Sequence, residues 1–283
     1  MPLLTDTLQL VWQLYWPSLA VVCGFALLER TWPLEPQQPW RATWFNLLWH
    51  ALFLVVFFAL SWTAWGRLVN WLLQAGAKPL LGPAATVPGE ALRIILIVLV
   101  HDFLVYWGHR LMHAVPALWA FHRFHHDERH LNSSTSLRQH WLTIPVHQLV
   151  VFLPLTWLFG LHATPELVYY ALIVLGGFHH ANLKIDLGRL TPWFVGPHYH
   201  RIHHAPPRAL HDRNFAALFP VWDRLFGTWH APGTGEFGAT GLHDHAPVAS
   251  QWRALWMPLP GWRIRQGEAG ARSVVGAGKP RQP

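Results

Sequence analysis

Three groups of histidines constrain this chain more than any other feature. Residues 101–140 read HDFLVYWGHRLMHAVPALWAFHRFHHDERHLNSSTSLRQH and hold eight histidines. Five of them form two tight groups: His109 with His113, then His122 with His125 and His126. A third group, His200, His203 and His204, repeats the HxxHH form of the second. Histidines three and four apart share one side of a helix. If the helices converge, eight imidazoles come within reach of a common centre. Neutral imidazole is the commonest protein ligand for zinc, copper and iron. One such ion takes about four protein ligands, so eight imply two metals. A lone HxxxH pair is usually a surface coincidence; three groups, two of them alike in form, are not.

The rest of the composition places this cluster in a membrane. The chain is 52% hydrophobic and 12% charged, with 19 tryptophans; a soluble domain carries about 25% charged residues. The net charge of +7 has its basic residues mostly after position 100, which suits anionic membrane lipids and the positive-inside rule. No basic run is present, so nucleic acid is not an expected partner. The single cysteine, Cys23, excludes disulfides within the chain, CxxC zinc sites and covalent haem attachment.

Apolar stretches at residues 10–28, 45–65 and 91–107 have the length of membrane spans, with Trp12, Trp16, Trp44, Trp62 and Trp65 near their ends as interfacial anchors. Segments 144–159 and 165–178 are shorter and form a hairpin or re-entrant pair. After Ala181 the chain turns polar and Pro-rich. The expected fold is all-α: an integral membrane helical bundle with a cytoplasmic histidine-rich helical cap. Residues 1–90 form N-terminal transmembrane helices, 91–230 the histidine-bearing domain, and 231–283 a partly disordered C-terminal tail. The histidines after the third and fifth segments must meet on one side. The basic C-terminal region shares that side and marks it as cytoplasmic. The N-terminus, with Asp6 and no basic residue, lies opposite, giving a multi-pass inner-membrane protein.

Asp102, Tyr106, His109 and His113 are spaced to share one helix face. An ionisable residue in a span is a functional candidate. Asp102 is expected to accept a hydrogen bond from a ligand imidazole, with pairing to an arginine as the bland alternative. His179 or His180 could add a ligand, and His140 could be a further ligand or support one. His101 faces elsewhere on the helix and is left out of the ligand set; His130, His147, His162, His211, His230, His243 and His245 are read as structural or surface residues. Gly233, Gly235 and Gly238 spell GxGxxG without the strand and helix a dinucleotide site needs. All-imidazole sites suit zinc, copper or iron. Zinc would serve as Lewis acid or water activator; paired iron would activate dioxygen against unactivated C–H bonds, of which a lipid chain has many.

At this point HDFLVYWGHRLMH, LWAFHRFHH, SLRQH, HHANL, HYHRIHH, DRNF and WDRLFGTWH together resemble the fatty acid hydroxylase and sterol desaturase superfamily, over roughly residues 95–230. The resemblance implies a membrane oxygenase with two iron ions, dioxygen as co-substrate and zinc able to replace iron on purification. The ligand set it implies is His109, His113, His122, His125, His126, His180, His200, His203 and His204. Asp102, Asn132, Arg138, Asn182, Asn214 and Asp223 fall on recurrent polar positions. Gly176 stands where some relatives have a further histidine, which leaves room for His140 or His179 to contribute. The partners implied are a lipid substrate that is hydroxylated or desaturated and a separate electron donor, a ferredoxin or a cytochrome b5-like protein with its reductase. The rival readings are a non-catalytic membrane metal carrier or sensor, which would want charged residues through several spans, and a zinc-dependent membrane hydrolase.

Overall fold

In the computed structural model, residues 2–160, 166–206, 210–233, 237–242 and 246–257 are described. Among them the chain is helical, with an isolated bridge between Pro33 and Leu183 in place of any strand. Helix α1 covers Pro2–Thr31, α2 Trp40–Leu52, α3 Ala59–Gln74, α4 Val87–Ala114 and α5 Pro116–His126. A π turn, Phe53–Phe58, joins α2 to α3. Helices α6 (Thr143–His147) and α7 (Leu153–Phe159) likewise run through a π turn, and α8 is Glu166–His180. Three short helices follow: α9 Pro197–His203, α10 Val221–Leu225 and α11 Gln251–Trp256.

The five apolar segments read from the sequence are helical in their described residues. Among the described residues, α4 is the helix long and apolar enough to cross a membrane, and Thr143–Phe159 is a shorter apolar helix. The start of α4 follows from local chemistry. The Thr86 side chain accepts from Gly89 N at 3.2 Å and Pro88 sits in the first turn, the arrangement favoured at N-termini. Its end follows from Pro116, which disfavours helical backbone at the residue before it; Val115 is extended. The chain then restarts as α5 with Pro116 in its first turn, so both histidine groups hang on one bend.

Packing brings the remaining groups to that bend. Ile97 of α4 is buried against Val151, Leu155 and Phe159. On the other flank α1 packs closely on α8, because Gly177 has no Cβ; one added there would lie 2.6 Å from Val21 Cγ1. Residues 246–257, expected in a tail, are built into the body. Ala254 and Met257 are buried with Trp49 and Phe124, and Trp141 Nε1 donates to Leu255 O at 3.0 Å. The rest of that tail, expected to be partly disordered, from 258 to 283, lies outside the described residues.

Buried and half-buried carboxylates tie the irregular segments to this scaffold. Glu29 of α1 accepts from Ser133 N at 2.7 Å and Asn182 N at 2.9 Å. Asp127 accepts from Arg138 Nη2 at 2.7 Å and Val248 N at 2.9 Å. Asp223 accepts from Tyr199 Oη at 2.5 Å, from Phe215 N and Ala216 N at 2.8 Å, and from Thr228 Oγ1 at 2.7 Å. A hydrogen bond to a charged group contributes about 1.5–3 kcal/mol, and stranding a buried donor costs its desolvation. Glu29→Ala strands two backbone donors, so thermal unfolding in detergent should shift down by several degrees. Glu29→Gln keeps an acceptor oxygen and should lose less.

Candidate metal centre

An HxxHH on a helix does not point one way. With 3.6 residues per turn, positions i and i+4 lie about 40° apart around the axis, whereas i+3 lies about 100° from i+4. Each of the two HxxHH groups therefore splits, and the structure uses the split. His122 and His126 of α5 join His109 and His113 of α4 and His203 of α9. His125 of α5 joins His180 of α8 and His200 and His204. Within each group one nitrogen per ring lies within 4.8 Å of all the others. All nine histidines of the expected ligand set are thus brought together, as adjacent groups of five and four in place of one common centre. The groups touch through stacked rings, His126 on His204 at 4.4 Å between centroids, and through His122 beside His125 at 5.4 Å.

The outer nitrogens are tied down. His109 Nδ1 lies 3.0 Å from Phe215 O, His203 Nδ1 2.8 Å from Arg213 O, and His180 Nδ1 2.8 Å from Gly176 O. His113 Nδ1 lies 3.1 Å from Asp212 Oδ1. A carbonyl or carboxylate only accepts, so Nδ1 carries the proton and the lone pair is left on Nε2. His125 Nδ1 meets the Gln139 amide at 3.2 Å. Three tethers, on His109, His113 and His203, come from one strained loop. Asp212 and Asn214 have φ of 58° and 59°, in the left-handed region that Asp and Asn enter more readily than most residues. Asn214 holds the loop by donating to Tyr199 O and His230 O and accepting from His230 N.

The inner nitrogens converge. Nε2–Nε2 separations are 3.1 Å for His113–His126, 3.2 Å for His126–His122 and 3.2 Å for His125–His180. They are 2.9 Å for His180–His200 and 3.2 Å for His200–His204. Metal–imidazole bonds of about 2.1 Å meeting near right angles separate ligand atoms by about 3 Å. His109 Nε2 and His203 Nε2 are buried without a hydrogen-bond partner, a costly condition for a polar atom that an ion would relieve. Burial pushes the ring pKa values of His122, His125, His126, His200, His203 and His204 well below the usual 6.5. These rings are neutral at pH 7, the form that binds metal. Phe215 closes the five-membered group, its ring 4.9 Å from His113 and 5.5 Å from His109 and His203. Trp119 covers His113 at 4.9 Å.

Three further candidates sit elsewhere. Among the described residues Asp102 neither supports an imidazole nor pairs with an arginine. Its carboxylate accepts from Leu218 N at 2.8 Å, Phe219 N at 3.0 Å and Trp222 Nε1 at 2.9 Å, because the chain after α9 folds back along α4 and needs its backbone donors satisfied. His140 lies outside both groups, stacked on Phe121 at 5.2 Å with Nδ1 accepting from Leu142 N. His179 is also outside them, its ring 6.2 Å from His200. Sequence reading missed Asp212 as the partner of His113 and Gly176 O as the partner of His180. The first depends on a left-handed backbone and the second on a carbonyl, neither of which is written in residue spacing. His162, His243, His245 and Gly235 lie outside the described residues.

Fold and site together define an all-helical protein with paired, buried all-imidazole clusters. Residues 94–228 match the family model "Fatty acid hydroxylase". The chain is 31% identical to human alkylglycerol monooxygenase over 193 residues, covering 64% of this chain and 42% of that protein. It is 35% identical to the alkylglycerol monooxygenase of Danio rerio over 133 residues, 45% of this chain and 28% of that protein. It is 29% identical to the ornithine lipid hydroxylase OlsE of Rhizobium tropici over 164 residues, 53% of this chain and 46% of that protein. The chain therefore spans less than half the length of these relatives. No solved structure matches it. Through its histidine-bearing region the chain belongs to the fatty acid hydroxylase and sterol desaturase superfamily.

The split of each HxxHH gives a test by elemental analysis. His203→Ala should lower bound metal from about two ions per chain to about one, and His204→Ala should do the same at the other group. The double variant should fall close to zero, and His140→Ala should keep both ions. Asp212→Asn should weaken one ion about 10–100-fold.

Proposed function

We propose that this protein is a membrane lipid oxygenase that hydroxylates or desaturates an unactivated C–H bond, using dioxygen and electrons from a separate donor. The carrying observation is the convergence of nine imidazoles, seven of them on buried residues, in two adjacent groups. His109, His113, His122, His126 and His203 would hold one iron, and His125, His180, His200 and His204 the other. Bound as a pair, the ions supply the redox chemistry by which dioxygen attacks a C–H bond.

The chain's own residues do the rest. Nδ1 tethers on His109, His113, His180 and His203 hold those rings at fixed angles and keep their Nε2 lone pairs directed inward. Phe215 and Trp119 wall the five-imidazole group against water, which protects an oxidising centre from side reactions. His109 and His113 sit at the end of α4, the helix apolar enough to cross a membrane, so a lipid lying along α4 approaches the clusters from the bilayer. The names of the relatives, acting on alkylglycerols, an ornithine lipid and methylsterols, support a lipid substrate.

In this reading residues 1–90 are the N-terminal membrane helices, 91–230 the catalytic domain and 231–283 a C-terminal extension. The bundle is multi-pass, with the histidines on the cytoplasmic face of the inner membrane. A ferredoxin, or a cytochrome b5-like protein with its reductase, would dock there as donor. Iron is the active metal, with zinc taking the same imidazoles on aerobic purification.

Comparative lipid mass spectrometry of cells with and without the protein tests the reading. One lipid class should gain an oxygen atom or lose two hydrogens only when the wild-type protein is expressed in air. His203→Ala, inserted at wild-type level, should abolish the shift. His211→Ala, outside both groups, should leave it nearly intact. A His203→Ala variant that retains full turnover would remove the clusters from the reaction.

A further inference from the structure

The part of the chain after α9 carries an apolar surface that the metal clusters do not use. Leu190, Trp193 and Phe194 are exposed, as are Val221, Leu225 and Phe226; Trp193 and Leu225 each keep 65% of their surface. The two stretches form one patch. Val195 N donates to Leu218 O at 3.0 Å, and the rings of Phe194 and Phe219 lie 6.1 Å apart. The patch runs into the exposed apolar flank of α4 at Trp107 and Leu111, with Phe226 4.9 Å from Trp107.

Its depth can be read along α4. Arg93 and Arg110 bracket the apolar run, about 26 Å apart at 1.5 Å per residue, close to the roughly 30 Å of a bilayer core. The segment 218–226 reaches the Arg110 end at Phe226, whose O accepts from Arg110, and sends its stretch 218–222 further along the helix. That stretch lies against Phe103, whose ring is 5.0 Å from Trp222, and against Asp102. That level is about 12 Å below Arg110 along the helix. Irregular backbone at such a depth must have its polar groups satisfied by protein. Asp102 does this, accepting from Leu218 N, Phe219 N and Trp222 Nε1. Around the patch, Arg189 and Arg224 are exposed, and Arg110 and Arg213 hydrogen-bond to Phe226 O and Gly227 O of the same turn. Cations rimming an apolar, Trp-bearing face complement anionic phosphate above hydrocarbon.

We infer that residues 190–194 and 218–226 form a wedge that enters the bilayer beside α4, with Asp102 as the intramembrane group that holds its backbone and the arginine rim at the phosphates. The inference rests on the reading of α4 as a membrane span and goes beyond it, since this part of the chain is polar and Pro-rich on average. The occupant of the patch is lipid: the apolar face is continuous with the flank of α4 and its rim is cationic.

The test uses the full chain in nanodiscs containing anionic phospholipid, on a Cys23→Ser background, with nitroxide spin labels at single cysteines. Leu225→Cys and Trp193→Cys report the wedge, Leu99→Cys the outer face of α4, and the exposed Ala231→Cys the aqueous side. Collision with dioxygen, which concentrates in hydrocarbon, should exceed collision with a water-soluble nickel complex at residues 225, 193 and 99. The order should reverse at 231. Water-like accessibility at 225 and 193, with a lipid-like signal at 99, overturns the wedge and leaves the membrane reading standing. Water-like accessibility at all positions overturns both. Protection from both reagents, with dipolar broadening between labels, would assign the patch to a second copy of the chain and also overturn the wedge.

Discussion

The interaction on which the site depends is the hydrogen bond from an imidazole Nδ1 to a main-chain or carboxylate oxygen. Nine neutral rings packed together could point their lone pairs anywhere. Four are fixed by Phe215 O, Arg213 O, Gly176 O and Asp212 Oδ1, and these acceptors come from two stretches far apart in sequence. The rings' common aim is therefore set by loops as much as by helices. Segment 212–215 supplies three of the four acceptors, which explains why so much of the structure converges on holding it. Asp223 takes the amides of Phe215 and Ala216, and Asn214 spans Tyr199 and His230.

Four inward-facing carboxylates follow the same logic at a distance. Glu29, Asp102, Asp127 and Asp223 each accept from backbone amides of irregular chain, and none of their hydrogen bonds among the described residues goes to an imidazole. A carboxylate satisfies two or three stranded amides at once and brings distant segments into register, which a hydrophobic contact cannot do. Asp127 couples Val248 to Arg138, and Arg138 also donates to Phe124 O at the end of α5. In this way residues near 248 help to position His125 and His126 without approaching the imidazole clusters.

Much of this was legible in the sequence. Apolar runs gave the helices, and histidine spacing gave eight of the nine rings, because both depend on local periodicity; His180 came from the family resemblance. What periodicity could not give was partition. HxxHH reads as three ligands to one place, yet 100° of rotation per residue separates His125 from His126 and His203 from His204. The division into five and four exists only once α5 and α9 face each other. The role of Asp102 was misread for a related reason: its spacing to His109 is right for one helix face, but hydrogen bonds follow depth and loop path, and the loop at 218–222 arrives first. The left-handed backbone at Asp212 and Asn214 carries no periodic signal.

The interleaving has a structural consequence of its own. Because α5 and α9 each contribute to both groups, neither group can form unless both helices are seated, and a shift of either helix disturbs both. His126 stacked on His204 makes the boundary between the groups a pair of rings from those same two helices. The two clusters are in this sense a single packed unit with two centres. A fold that must create them together can keep α9 as a helix of seven residues, too short to be stable alone, since its histidines are held from outside by Arg213 O on one side and by the rings of α5 and α8 on the other.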